Sequence, residues 1–203
     1  MNKLVQVLGR LFKHDEFTGY FASVMARATE RGSISYHEVE EIAGDRAEDV
    51  LLLSSEWRFL LPVRTLKSAA WEDRLLLCES GEKYEVPNIV RCMVKKVSQT
   101  GEWNLEQAAT ELFKEMDEPE WEKMPKLVER LKEQARDYRI SAIQIKEICS
   151  ELGLEDRVDV LIAELKGSGV MSPKLSSLAE VSREGAPLYE INPSLFIKEG
   201  EKK

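Results

Sequence analysis

Apolar residues recur at helical spacing along most of the chain. Leu4, Val7, Leu8, Leu11 and Phe12 form one stripe; Phe17, Tyr20, Phe21, Val24 and Met25 form a second, predicted to begin at a cap on Asp15 and to break at Gly32. Val39 and Ile42 give the inward stripe of a short helix that Gly44 ends, and a further helix is predicted from about Arg46 to Ser55. Then the period changes. Arg58-Phe59-Leu60-Leu61-Pro62-Val63-Arg64 reads as a strand, and Arg74-Leu75-Leu76-Leu77-Cys78 as its hairpin partner beyond a small and polar connection. Helical spacing resumes after Pro87 with Ile89, Val90, Met93, Val94 and Val97, closed by Gly101. It resumes again after a cap at Asn104, with Leu105, Ala108, Ala109, Leu112 and Phe113 inward.

The pattern of the first hundred residues then repeats. After Leu127, Val128 and Leu131 comes a turn at Tyr138-Arg139-Ile140, and a stripe of Ile145, Ile148, Cys149 and Leu152 ends at Gly153. Val158, Leu161, Ile162 and Leu165 line the next helix, Gly167-Ser168-Gly169 turns the chain into Val170–Lys174, and Leu188–Ile191 can pair back before Asn192-Pro193. Ile34-Ser35-Tyr36-His37-Glu38 returns as Ile140-Ser141-Ala142-Ile143-Gln144, and Asp45-Arg46 returns as Asp156-Arg157. Each Ser with Glu or Gln three residues on is a capping box, so a helix is expected to start at each Ser. From Asp45 to Pro62 the copies align at a constant offset of 111, while the caps align at 106. The second copy has therefore gained five residues in its capped helix or the turn after it.

Helix, capped helix, turn, helix, strand, wing and strand, in that order, resembles the winged-helix superfamily of the helix-turn-helix group. ISYHEVEEIAG, DRAEDVLLL and FLLPVR carry the resemblance in the first copy, and ISAIQIKEICSELG, EDRVDVLIAEL and VMSPKL in the second. It covers about residues 15–80 and 123–197, with a longer wing and a less regular third helix in the first copy. The expected fold is mainly α with small β-hairpin wings: two winged-helix modules in tandem. The expected division is an N-terminal module with extra helices over 1–101, an acidic helical linker or seam over 102–122, a C-terminal module over 123–197 and a charged tail over 198–203.

By default the resemblance implies DNA binding, with the third helix of each module in the major groove and the wing against the backbone. Charge argues otherwise. The net charge is −8, and −7 of it lies in residues 102–122; the rest of the chain has no strong basic field for a phosphate backbone. The outward side of the second module's third helix is predicted to show Glu155, Asp156, Asp159 and Glu164 against Arg157 and Lys166. The first shows Asp45, Glu48 and Asp49 against Arg46. Carboxylates facing a polyanion oppose binding, and base readout leans on Arg and Lys. The basic residues that could serve DNA are Arg46, Arg58, Arg64, Lys67, Arg157, Lys166, Lys174 and Arg183.

Enzyme chemistry has no foothold in the sequence. It shows no Gly-rich phosphate loop, no Cys or Ser with a His partner, and no metal-ligand cluster; His14 and His37 are the only histidines. Cys78, Cys92 and Cys149 are an odd number without CxxC spacing, expected as reduced thiols of a cytoplasmic protein. The longest uncharged run, Phe17–Ala26, is ten residues, far below the ~20 needed to cross a bilayer, so a soluble chain without a signal peptide is expected.

The resulting expectation is a non-catalytic interaction or assembly module that binds another protein, with no cofactor and no membrane contact. A DNA-binding transcriptional regulator is the alternative. Partner-contact candidates are Trp71, a potential exposed aromatic anchor on the first wing, Trp103 and Trp121 beside the acidic stretch, and Asp49, Asp156 and Asp159 on the third helices. The two opening helices carry apolar surface that could serve a homodimer or pack on residues 87–116 of the same chain.

Overall fold

Both capping boxes form, and with matching geometry. Ser35 and Ser141 each sit in extended backbone (φ −87° at both, ψ 159° and 156°), and each hydroxyl accepts an N–H three residues on, from Glu38 and Gln144 respectively, at 3.3 Å. The side chains of Glu38 and Gln144 accept the Ser N–H groups in return, at 3.0 Å. Two orphan donors are satisfied at each helix start.

The computed structural model describes residues 2–12, 15–68, 70–175 and 185–197. Its elements are α1 (Asn2–Phe12), α2 (Asp15–Arg31), β1 (Ser33–Ser35), α3 (Tyr36–Ala43), α4 (Ala47–Glu56), β2 (Leu61–Pro62), β3 (Lys83–Glu85), α5 (Asn88–Thr100) and α6 (Leu105–Glu115). They continue with α7 (Met124–Gln134), β4 (Arg139–Ser141), α8 (Ala142–Glu151), α9 (Val158–Gly167), β5 (Met171–Pro173) and β6 (Leu188–Ile191). The protein is mainly helical with two small three-stranded antiparallel sheets, ordered β1-β3-β2 and β4-β6-β5.

The two halves match rung by rung. Tyr84 lies between Ile34 and Pro62 in the first sheet, and Tyr189 between Ile140 and Pro173 in the second. Backbone bonds outside the strands repeat as well. Tyr36 N–H to Glu82 C=O corresponds to Ala142 to Pro187, Phe59 to Ser54 corresponds to Val170 to Leu165, and Val86 to Gly32 corresponds to Ile191 to Tyr138. The five-residue gain is now located: α8 is two residues longer than α3, and three residues precede the 3-10 turn Glu155–Arg157 where Gly44–Arg46 follows α3 directly.

The sequence misassigned one strand. Arg74–Cys78 is not the partner of β2; only Arg74 makes a bridge, to Thr65, and the partner is Lys83–Glu85. That strand has one inward side chain, Tyr84, between charged neighbours, which leaves almost no hydrophobic signal. Leu76 and Cys78 instead lean on the core, and the Tyr84 hydroxyl donates to the Leu77 carbonyl. Tyr20, read as inward, is exposed.

The buried side chains form one contiguous core from Leu4 to Leu195, through both halves. The α1 stripe of Leu4, Val7 and Leu8 is covered by α2 and α5 within the chain, and α6 packs between α5 and α7. The acidic stretch is therefore largely a packed helix, with Ala108, Ala109, Leu112 and Phe113 inward.

Ser35→Ala and Ser141→Ala should each lower stability by about 1 kcal/mol, roughly additively because the caps are far apart in the fold. Urea unfolding would show this as a lowered midpoint with an unchanged slope.

Candidate functional site

Two surfaces were candidates for contact: the first wing with its tryptophan, and the outward faces of α4 and α9. The segment expected to form that wing is already engaged within the chain. The Asp73 carboxylate accepts N–H groups from Lys67 (2.7 Å) and Ser68, which folds the connection back and leads into the 3-10 turn Trp71–Asp73. Burial opposes charge on Asp73, yet those N–H groups hold its carboxyl below the usual range. That turn sits against the second half. The Trp71 N–H donates to Ser172 Oγ at 3.0 Å, while Glu72 accepts the Leu175 N–H at 2.9 Å and pairs with Lys174.

Trp71 is only 5% exposed, so the expectation of an exposed anchor is corrected: its ring is held inside this seam, with the Arg58 guanidinium 6.0 Å from its centre. The sequence offered no means of seeing that the wing folds onto the other half, because the small-residue run around it reads as an ordinary exposed turn.

The same seam joins two unusual turns. Arg58 and Gly169 occupy equivalent positions, 111 apart, and both have positive φ, 55° and 77°. The side-chain amide of Asn192 donates to both carbonyls, at 3.3 and 3.1 Å. Arg58 reaches across to Glu190, Nε to Oε1 at 3.0 Å and Nη2 to Oε2 at 3.4 Å, with both side chains mostly buried. Gly169 has no room for a side chain, since a Cβ there would lie 2.5 Å from the Pro87 Cβ. Asn192 and Arg58 were the seam residues that mattered; positive φ at a non-glycine leaves no mark in sequence.

The remaining candidates divide. Trp103 is buried beside the Phe59 ring, 5.8 Å between centres, and Trp121 is half-buried under the Lys114 ammonium at 3.7 Å. Asp49, Asp156 and Asp159 are exposed on the outward sides of α4 and α9. Glu48, Glu56 and the 57%-exposed Leu52 share the α4 face, while the 50%-exposed Val160 lies on α9 and Glu155 is exposed in the 3-10 turn that precedes it. Glu164 does not lie outward with them; it is half-buried against Glu118 and Arg157.

Five of the eight basic candidates are in ion pairs: Arg46 with Asp49 (3.2 Å), Arg58 with Glu190, Arg64 with Glu82 (3.2 Å), Arg157 with Glu118, and Lys174 with Glu72. Lys67 and Lys166 are exposed, and Arg183 lies outside the described residues, as does His14. Clefts of about 440, 370 and 220 Å³ lie between α6 and α7, beside β5 and β6, and at the seam near Pro87. None brings a thiol or hydroxyl nucleophile together with a histidine. Among the described residues no group of three or more His, Cys, Asp or Glu is placed to hold a metal ion, and no helix is long and apolar enough to cross a membrane.

The model of an uncharacterised protein family matches residues 2–201. The chain belongs to that family. No curated protein and no solved structure matches it. The family match runs through both halves and the α5–α6 connection.

Gly169→Ala should cost about 2–4 kcal/mol, combining left-handed backbone strain with the clash on Pro87. Gly153→Ala, at φ 65° with nothing within 4 Å of the added Cβ, should cost only about 1–2 kcal/mol. Thermal unfolding of the two variants would check the difference, which reports the seam.

Proposed function

We propose that the chain is a tandem winged-helix protein acting without catalysis, as an interaction or assembly module that binds another protein in the cytoplasm. The order helix, strand, capped helix, helix, strand, strand, with the third strand central in each sheet, supports the tandem winged-helix reading. The observation that favours protein over DNA is electrostatic. The third-helix faces carry Glu48, Asp49, Glu56, Glu155, Asp156 and Asp159 around an exposed Leu52 and Val160, while most of the arginines and lysines that could meet phosphate are neutralised within the chain. Breaking the covered pairs of Arg58, Arg157 and Lys174 to bind DNA would add a cost to their phosphate contacts. Apolar residues ringed by carboxylates suit a polypeptide surface with basic groups.

The expected result is a stoichiometric protein partner with the intact chain, lost when Asp156 and Asp159 are both changed to Arg, and duplex DNA binding no tighter than about 100 μM at physiological salt. Native co-purification and fluorescence anisotropy read the two outcomes. Micromolar DNA binding with a steep salt dependence would favour a winged-helix transcriptional regulator instead.

A further inference from the structure

One cluster of ionisable side chains is buried away from the acidic faces and the seam. Glu118 lies in the turn over residues 116–123 between α6 and α7, and its side chain is fully covered. Its Oε1 accepts the Glu120 N–H at 2.9 Å and a bond from Arg157 Nη1, and its Oε2 accepts from Arg157 Nη2 at 3.0 Å. The arginine is thus committed in both prongs to Glu118. Glu164, on α9, stands beside the same guanidinium, 3.9 Å from Nη2, and against the Glu118 carboxyl, with its Oε2 buried.

Two carboxyls and one arginine in a mostly covered site carry one charge too many if both acids are ionised. We propose that Glu118, Arg157 and Glu164 form a proton-operated latch. With a proton on Glu164, one arginine balances one carboxylate and the 116–123 turn is held against α9; without it, two carboxylates compete for Arg157 and the turn loosens.

Among the described residues, Glu118 and Arg157 are the groups that act on Glu164; Glu120 adds its field at Arg157 and is itself paired with Lys123 at 2.9 Å. Burial first, then the adjoining Glu118, pushes the Glu164 carboxyl up to about 7; burial also opposes charge on Glu118, but the bonds from Arg157, Glu164 and the Glu120 N–H together hold it below its ordinary value. The signs oppose each other. Glu164, raised in the fold, contributes stability that is full below its ordinary value near 4.5 and is lost as pH rises through about 7. Glu118, lowered, contributes stability that is full above its ordinary value and is lost as pH falls below it. The latch is firmest near pH 5 and opens progressively toward pH 8.

Hydrogen exchange on the full chain at pH 6 and pH 8, corrected for intrinsic rates, tests this. Amides of 117–123 should open about tenfold more at pH 8, with those of α5 unchanged as the control. In Glu164→Gln, which keeps the neutral amide at the same place, the pH dependence should vanish. A carboxyl ¹³C titration of the unsubstituted protein should show a Glu resonance with its midpoint near 7. Equal exchange of 117–123 at the two pH values, the same pH dependence in Glu164→Gln, or ordinary midpoints for all Glu carboxyls would overturn the proposal.

Discussion

The arrangement of the whole molecule depends on how two left-handed turns are held together. Arg58 and Gly169 each lie two residues beyond the end of α4 and α9, and one amide, that of Asn192, bonds the carbonyls of both. A non-glycine residue at positive φ is disfavoured by about 1–2 kcal/mol, and such a residue persists where surrounding contacts fix it. Arg58 has those contacts: the carboxylate of Glu190, the ring face of Trp71 and the Asn192 bond. Gly169 carries the complementary constraint, for Pro87 fills the space its side chain would need. Each half presents its turn to the strand end of the other, Asn192 and Pro87 being equivalent positions.

The seam decides what each part of the duplicated unit is free to do. The connection between β2 and β3 is drawn down by Asp73, Trp71 and Glu72 onto β5 and the residues after it. It serves as a strap between halves. With that connection engaged and the core continuous through α5, α6 and α7, α4 and α9 are held at fixed positions within one body. A partner that contacts both meets a preorganised pair of acidic faces, and little ordering cost falls on binding.

The features legible in sequence were those fixed by local chemistry. The caps at Ser35 and Ser141, the stop at Gly101 and the cap at Asn104 all formed as expected, because hydrogen bonds within three or four residues set each of them; the strand Leu188–Ile191 was legible from its apolar run although its partners are distant. What was hidden depended on residues well beyond the reach of local patterns, from about a dozen to about a hundred positions apart. Lys83–Glu85 became the central strand through backbone pairing with two partners, which its charged side chains do not advertise. Trp71 was buried by Ser172 and Arg58. Glu118 was one of eight acids in a charged run, and nothing in that run distinguished the one that would be enclosed with Arg157 from those left in water.

The equivalence of Arg46 and Arg157 shows how far the two copies have diverged in use. Both begin the third helix. Arg157 is mostly covered, gripping a buried glutamate supplied by the preceding turn, and a second acid, Glu164, follows on the same helix. In the first copy the position of Glu164 is taken by the half-buried Leu53, and Arg46 is exposed, paired with its neighbour Asp49 one turn on. A bridge between exposed side chains like this contributes little to stability and exchanges easily for another partner. The enclosed pair in the second copy does not, since separating it would leave Glu118 buried and uncompensated. Arg157 is thus committed to the chain's own packing, while Glu155, Asp156 and Asp159 around it stay exposed. At the start of α4 the equivalent arginine is exposed along with Asp45, Glu48 and Asp49, so there the basic residue itself remains open to a partner.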